Sequence, residues 1–385
     1  MNFDFSDEQL QLREAVEQFL AKEYPFQRLR AAKSSGAAWD PAVWRGLAEL
    51  GVTAINVPSS LGGLGYGPME TLVLMGACGP SLLLEPVLTS AVIATVLLRE
   101  FERAEPAADL LRAMAGGGCI AAVAHFEPGT RYDSRRVDTR ARRAGEGYRL
   151  DGRKSVVVHA GLADTLLVSA RTRGDGGDPE GVSLFLVPRV MPGLRLIEYT
   201  NVDGQRAADV HLEEACLPEE SRLGAEGGAL AAIETAFDHG LAGLCAEAVG
   251  IMQSLINATI EYLCTRQQFG QPIGRFQALQ HRVADMVVHL EQARSMSYLA
   301  ALRCASADLD ERRRALSAAK VVIGDAARFV GQQAVQLHGG MGMTDELKVS
   351  HSFKRLTAIE ILFGDSDAHL ERYAALTRGP REFSV

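Results

Sequence analysis

The chain has 385 residues, with 40 Lys and Arg against 48 Asp and Glu and a formal net charge of −8. That length admits two or three domains around sizeable cores and excludes a small disulfide-stapled peptide. The acidic balance argues against a nucleic-acid binder, which needs a concentrated basic surface. Local basic runs at Arg140, Arg142 and Arg143, and at Arg312 to Arg314, read as solvated faces. Six cysteines lie scattered (Cys78, Cys119, Cys216, Cys245, Cys264, Cys304), with no CxxC pair and no metal-ligand spacing, so reduced and mostly buried thiols are expected, with no metal. The start of the chain, through Phe3, Asp4, Asp7 and Glu8, is acidic where a secretion signal would be basic. No uninterrupted apolar run approaches the ~18 residues of a membrane span. A soluble, cytoplasmic protein is the expectation.

Along the chain, Ser6 followed by Gln9 forms a capping-box pattern, and Leu10, Leu12, Val16, Phe19 and Leu20 recur at helical spacing. Further helices are predicted over 41–50, 69–76 and 87–101, the first stopped by Gly51 and the second preceded by a glycine-rich turn at 62–67. The triple glycine at 116–118 marks a change of texture. Short Val-, Leu- and Ile-rich runs follow at 120–124, 148–150, 155–158, 165–170, 183–188, 194–199 and 208–212, separated by turn signals such as Asp151-Gly152. They predict a small antiparallel barrel or sandwich. Long helical patterns return over 229–265, 278–305, 312–336 and 351–373, reading as an up-down bundle. The expected architecture is therefore α+β and multidomain: an N-terminal helical domain (1–115), a central antiparallel β-barrel (116–226) and a C-terminal four-helix bundle (227–385).

The stretch 262–277 carries Tyr262, Arg266, Phe269, Gly270, Ile273, Phe276 and Gln277 in the pattern Y-x-x-x-R-x-x-F-G-x-x-I-x-x-F-Q. It resembles the acyl-CoA dehydrogenase signature. Gln336, Gly339, Gly340 and Gly342 are similar to that family's Q-x-x-G-G-x-G, and the order of domains agrees over essentially the whole chain. Within the family, Ala124-His125, Arg131-Tyr132-Asp133 and Phe363-Gly364-Asp365 look most like small subunits of pimeloyl-CoA dehydrogenase. The resemblance implies FAD bound between subunits, with Arg266 and Gln277 on its pyrophosphate, Phe269 packed on it, and Gln336, Gly339 and Gly340 at its adenine end. An Arg fork suits phosphate oxygens, and glycine lets backbone approach a ligand. Arg266 as a surface helix charge and Gly339-Gly340 as a helix cap are the alternatives. The implied chemistry is α,β-dehydrogenation of an acyl-CoA thioester, in which a carboxylate removes the α-proton and the flavin accepts hydride. Phe237 and Asp238 match the pair that holds the pantetheine arm, although Asp238 also reads as a solvated helix residue. Electron-transfer flavoprotein or a similar acceptor would reoxidise the flavin.

Several positions depart from the family pattern. Phe363 stands where the usual catalytic Glu belongs, and Gly240 stands at the minority position for that base. Phe126, Val156 and Val158 replace polar or aromatic residues beside the flavin, while Asp365 and Asp367 add anions near its phosphates. These losses suggest one subunit of a hetero-oligomer whose partner supplies the base. Glu247 lies on the face of Gly240, ~10 Å along the helix, and is the candidate relocated base; the alternative is a carboxylate paired with Arg282 or another bundle cation. Glu360, Asp365 and Asp367 are weaker candidates. His125, Arg131 and His159 would bind a distal acyl carboxylate or satisfy loop backbone. A diacid or a bulky sterol-like acyl chain suits such polar loops. A homomeric enzyme with a relocated base and a non-catalytic acyl-CoA-binding subunit are the competing readings.

Overall fold

The computed structural model describes residues 5–36 and 39–377; the N-terminal residues 1–4, part of the stretch used to argue against a secretion signal, lie outside it. The helices, in chain order, are α1 (Asp7–Glu23), α2 (Phe26–Ser35), α3 (Pro41–Glu49), α4 (Pro68–Cys78), α5 (Thr95–Arg99), α6 (Glu105–Ala115), α7 (Leu230–Thr265), α8 (Gln277–Cys304), α9 (Leu309–His338), α10 (Lys348–Ile361) and α11 (Ser366–Thr377). The strands are β1 (Ala121–Ala124), β2 (Arg140–Ala144), β3 (Gly147–Val158), β4 (Thr165–Arg171), β5 (Val182–Pro188), β6 (Leu194–Thr200), β7 (Arg206–Pro218), β8 (Arg222–Leu223), β9 (Gln267–Gln268) and β10 (Gln271–Pro272). Contacts gather them into two compact units. One comprises Met1–Leu29, Pro68–Leu83 and Leu241–Val385; the other comprises Arg30–Gly67 and Leu84–Gly240.

The first unit is helical. Ser6 and Gln9 form the anticipated reciprocal cap on α1, at 3.0 and 3.2 Å, satisfying two amides that a helix start leaves open. Gln9 Nε2 then donates to Glu70 of α4 at 2.8 Å. α9 is the hub, packing α8, α10 and α11. Its buried face includes Ala319, Ala326, Ala327, Gly331 and Ala334, and small side chains of this kind let neighbouring axes come close. At Gly331 an added Cβ would meet the Phe353 ring at 3.0 Å. The helix expected over 351–373 is two helices. Phe363 and Gly364 take φ of 59° and 115°, a left-handed pair that no α-helix continues through. α7 meets the length and apolarity of a membrane span, but 67% of its most apolar window is buried within the protein, as in a core helix.

The second unit is built on an eight-stranded sheet in the order β6-β7-β3-β2-β4-β5-β8, with β1 paired to β4. β1 pairs in parallel with Thr165 to Val168, and β2 joins the same strand only at Arg140↔Arg171, also in parallel; the other strand pairings are antiparallel. The runs at 148–150 and 155–158 are one strand. β3 stays paired to β7 across both, with register shifts between Leu150 and Gly152 and between Lys154 and Val157. β2 was not anticipated, because its sequence Arg-Ala-Arg-Arg-Ala hides a single inward-facing residue, buried Ala141, among charges. Those charges find local partners on the surface: Arg140 donates to the Gly174 carbonyl and Arg143 pairs with Glu219 and Glu226. The six cysteines are free, three of them buried (Cys78, Cys245, Cys304). Among the described residues no cluster of His, Cys, Asp or Glu could hold a metal.

Candidate functional site

In the helical unit the two glycine-bearing motifs converge. Tyr262, near the end of α7, stacks on His338 at the end of α9 with ring centroids 4.5 Å apart. Beyond Tyr262 the chain forms the β9–β10 hairpin, whose two-residue turn is Phe269-Gly270 with φ of 53° and 77°. Paired positive φ values are the geometry of the tight hairpin turns that match strand twist. Backbone bonds from Arg266 N–H to Tyr262 O and from Ile273 N–H to Arg266 O, both 2.9 Å, anchor the hairpin. Phe269 projects from its tip, 89% exposed, with the Phe276 ring edge-on to it at 5.9 Å. Arg266, Gln277 and Gln336 are exposed, and none of their side chains has a hydrogen-bond or ion-pair partner among the described residues. After His338 the chain turns at Gly339, φ 60°, and a Cβ built on Gly339 or Gly340 would meet nothing within 4 Å. The result is an open edge carrying a guanidinium, two amides and bare backbone.

Glu247 is held differently from a poised base. Both of its carboxylate oxygens accept from Arg355 of α10, Nε at 2.7 Å and Nη2 at 2.8 Å, and the two side chains are 6% and 8% exposed. This is the bundle-cation alternative with a different partner: Arg282 instead donates to Gln333 at 3.4 Å. Phe363 lies half-buried in the turn between α10 and α11, and Gly240 is buried within α7. Asp365 caps α11 by accepting from Ala368 N–H at 2.8 Å, and Glu360 is bonded by Arg328 at 3.0 Å. Every carboxylate weighed as a base except Asp367 is thus engaged by its own chain.

In the sheet unit, Phe126, Phe237 and His125 form an aromatic triangle with centroid separations of 5.0, 5.2 and 5.6 Å. Both nitrogens of His125 are spent: Nε2–H donates to Ser134 O at 2.9 Å, leaving Nδ1 to accept from Ser169 Oγ at 2.9 Å. Burial, reinforced by the nearby Lys154 charge, pulls this imidazole down to about 3, so it is neutral. Lys154 and Glu127 form a buried pair at 2.6 Å, and the same carboxylate accepts from the Asp138 and Thr139 amides, fixing the loop that carries Phe126. Burial lowers Lys154 to about 8, with Glu127 opposing the drop. His159 faces the Leu84 carbonyl at 3.0 Å and the Thr89 hydroxyl at 2.8 Å. Of the three basic loop residues, only Arg131 is exposed without a side-chain partner among the described residues; its φ is 48°, a strained value for a non-glycine. Val156 shares that strain at φ 53°, sits in the β3 bulge and is 52% exposed, and Val158 is half-buried. Phe237 and Asp238 are both half-buried on the first half of α7.

Three sequence profiles cover nearly the whole chain: "Acyl-CoA dehydrogenase, N-terminal domain" over residues 6–118, the middle domain over 122–215 and the C-terminal domain over 226–376. The chain belongs to the acyl-CoA dehydrogenase family. Members are flavoprotein oxidoreductases acting on CH–CH bonds, and their cofactor is FAD. Among its relatives is the L-prolyl-[peptidyl-carrier protein] dehydrogenase of Pseudomonas fluorescens Pf-5, 30% identical over 96% of this chain and 98% of that protein. Similar solved structures include a Tcur3481-Tcur3483 steroid ACAD variant, 29% identical with a TM-score of 0.86 over 96% of this chain and 98% of that one. Another is the FAD complex of PigA, 27% identical with a TM-score of 0.88 over 97% and 98% of the two chains.

The residues present fit FAD unevenly. The open edge suits its phosphates: Arg266 offers a fork of donors and Gln277 an amide, and neither side chain is committed elsewhere among the described residues. The sheet unit offers much less to a flavin ring, because Val156, Val158 and Phe126 have no side-chain donor or acceptor. Sequence reasoning missed Arg355, Lys154 and Lys320 altogether. Each is a buried cation defined only by distant chain segments, and no local pattern marks such a partner.

Proposed function

We propose that this chain is one subunit of a hetero-oligomeric, FAD-dependent acyl-thioester dehydrogenase, in which the partner subunit supplies the catalytic base. The observation that carries this reading is the asymmetry of the chain's own groups. Its helical edge presents Arg266, Gln277 and Gln336 without side-chain partners among the described residues, whereas Glu247, the best-placed carboxylate for a base, has both oxygens bound by Arg355. A base must hold an accessible lone pair for the α-proton, and a carboxylate clamped in a buried bidentate pair does not offer one. Bound FAD supplies hydride acceptance. Arg266 and Gln277 hold its pyrophosphate across the subunit interface, Phe269 covers it, and Gln336, Gly339 and Gly340 take its adenine end. Phe237 and Asp238 orient the pantetheine arm. Electron-transfer flavoprotein or a similar acceptor would be the partner that reoxidises the bound cofactor.

The test is the visible spectrum of the chain purified alone and after co-expression with a partner dehydrogenase. A colourless lone chain that turns yellow with flavin only in the complex supports a shared site. Stoichiometric flavin and turnover in the lone chain would overturn it. The relative acting on a carrier-protein-bound prolyl group favours a second reading, in which the thioester arrives on a peptidyl carrier protein rather than on CoA. Turnover of an acyl-carrier protein but not of the matching acyl-CoA would select it.

A further inference from the structure

The chain has six lysines among 385 residues, and five of them are engaged. Lys154 is buried against Glu127 at 2.6 Å. Lys320, 1% exposed, donates to the Glu360 and Leu362 carbonyls at 2.7 and 3.1 Å. Lys22 pairs with Glu23 and Lys354 with Asp345, each at 3.0 Å, and Lys33 is engaged as well. The sixth, Lys348, has no hydrogen bond or ion pair among the described residues.

Its place makes that isolation costly for a cation. Lys348 is the first residue of α10, whose N-cap, Leu347, makes no side-chain cap bond and whose first turn holds no acidic residue. A helix start leaves amides open and is electropositive, so it favours anions and disfavours an ammonium. The nearby groups give no relief. Asp345, three residues back, is committed to Lys354, and Ser350 Oγ, two residues on, donates to the Thr344 carbonyl at 2.7 Å. Lys348 is half-buried, yet its amine is not among the enclosed polar atoms, so a reagent can reach it as none can reach Lys154 or Lys320. Burial draws its ammonium below the usual lysine value.

We propose that Lys348 is an acyl-acceptor site, modified by the acyl-CoA thioesters on which this family acts. The unprotonated amine attacks the thioester carbonyl. A C–N bond forms, the C–S bond breaks, and the thiol leaves with the proton that the nitrogen sheds, with no oxidant or reductant involved. This step is separate from dehydrogenation and does not depend on the subunit reading above. Its product is a neutral amide where a cation is disfavoured, so acylation relieves the first turn of α10 instead of stranding a charge. Lys354, on the same helix but held by Asp345, is the internal comparison.

The test is to incubate the full-length chain with acetyl-CoA near neutral pH and follow each lysine by peptide mass spectrometry. Each unit by which an amine's pKa falls raises its free-base fraction about tenfold, partly offset by weaker nucleophilicity, so acetylation at Lys348 should outpace that at Lys354 and Lys22 about threefold or more. Lys348→Arg should abolish that adduct and leave the others unchanged. Lys348→Gln, an uncharged stand-in for the product, should keep the thermal midpoint at or above that of the unaltered chain, since nothing described holds the ammonium. Acetylation of Lys348 no faster than that of Lys354 and Lys22 would overturn the inference. So would a midpoint that drops in the Gln variant but not in the Arg variant, because it would reveal a partner that keeps the lysine charged.

Discussion

The Glu247–Arg355 pair separates a structural carboxylate from a catalytic one. Both side chains are more than nine-tenths buried and joined by bonds of 2.7 and 2.8 Å. Removing one partner strands a charge in a low-dielectric core, which costs about 3–5 kcal/mol, whereas replacing both with apolar groups of similar size is often near neutral. Arg355→Met alone should therefore cost about 4 kcal/mol, and the Glu247→Leu/Arg355→Met double variant should recover about 3 kcal/mol of it, so that the two substitutions are strongly non-additive. Urea denaturation of the four proteins in one buffer measures this, with the m-value checked for constancy. Turnover of the co-expressed complex should follow stability, so the double variant should retain activity once folded. One result would refute the reasoning: a Glu247→Gln protein with a wild-type urea midpoint and a turnover reduced ~100-fold or more, the loss expected of a missing general base.

Arg266→Ala should leave the thermal midpoint of the lone chain unchanged, since its side chain is exposed and has no hydrogen-bond or ion-pair partner among the described residues, but should weaken flavin retention in the complex by ~10-fold or more, the worth of a charge-assisted bond; dialysis followed by absorbance at the flavin maximum checks it. The histidines set an acid limit. His125 and His369 each fall from 6.5 to about 3 in the folded chain, driven first by burial, so below pH 6.5 the unfolded state binds the extra protons and stability declines as pH drops toward 3. Denaturation midpoints at pH 7, 6, 5 and ~4 should fall, and His369→Gln should make the decline shallower. Arg131→Ala should raise KM for a CoA thioester bearing a distal carboxylate roughly tenfold while sparing the plain alkyl analogue. Equal effects on both substrates would assign Arg131 a different task.

The order of helices, sheet and helices was legible because it is written in local signals. Ser6 and Gln9 announce the first helix, apolar periodicity marks α7, α8 and α9, and glycine pairs punctuate the strands. The turn at Gly339 was legible for the same reason, as a glycine helix cap, whereas the β9–β10 hairpin was not anticipated in a stretch read only as a motif between two helices. Phe363 in place of a carboxylate was also plain in the sequence. What that replacement leaves behind was not. The break between α10 and α11 has local marks in Gly364 and the capping Asp365, which the reading of 351–373 as one helix passed over, but the lysine that holds its carbonyls, Lys320, lies some forty residues away. Likewise the sequence could nominate Glu247 but could not name Arg355, more than a hundred residues away, as its partner. Secondary structure and family come from short-range chemistry that one segment contains. Whether a buried charge is free to react depends on which other charge the fold brings to it, and only the tertiary structure decides that.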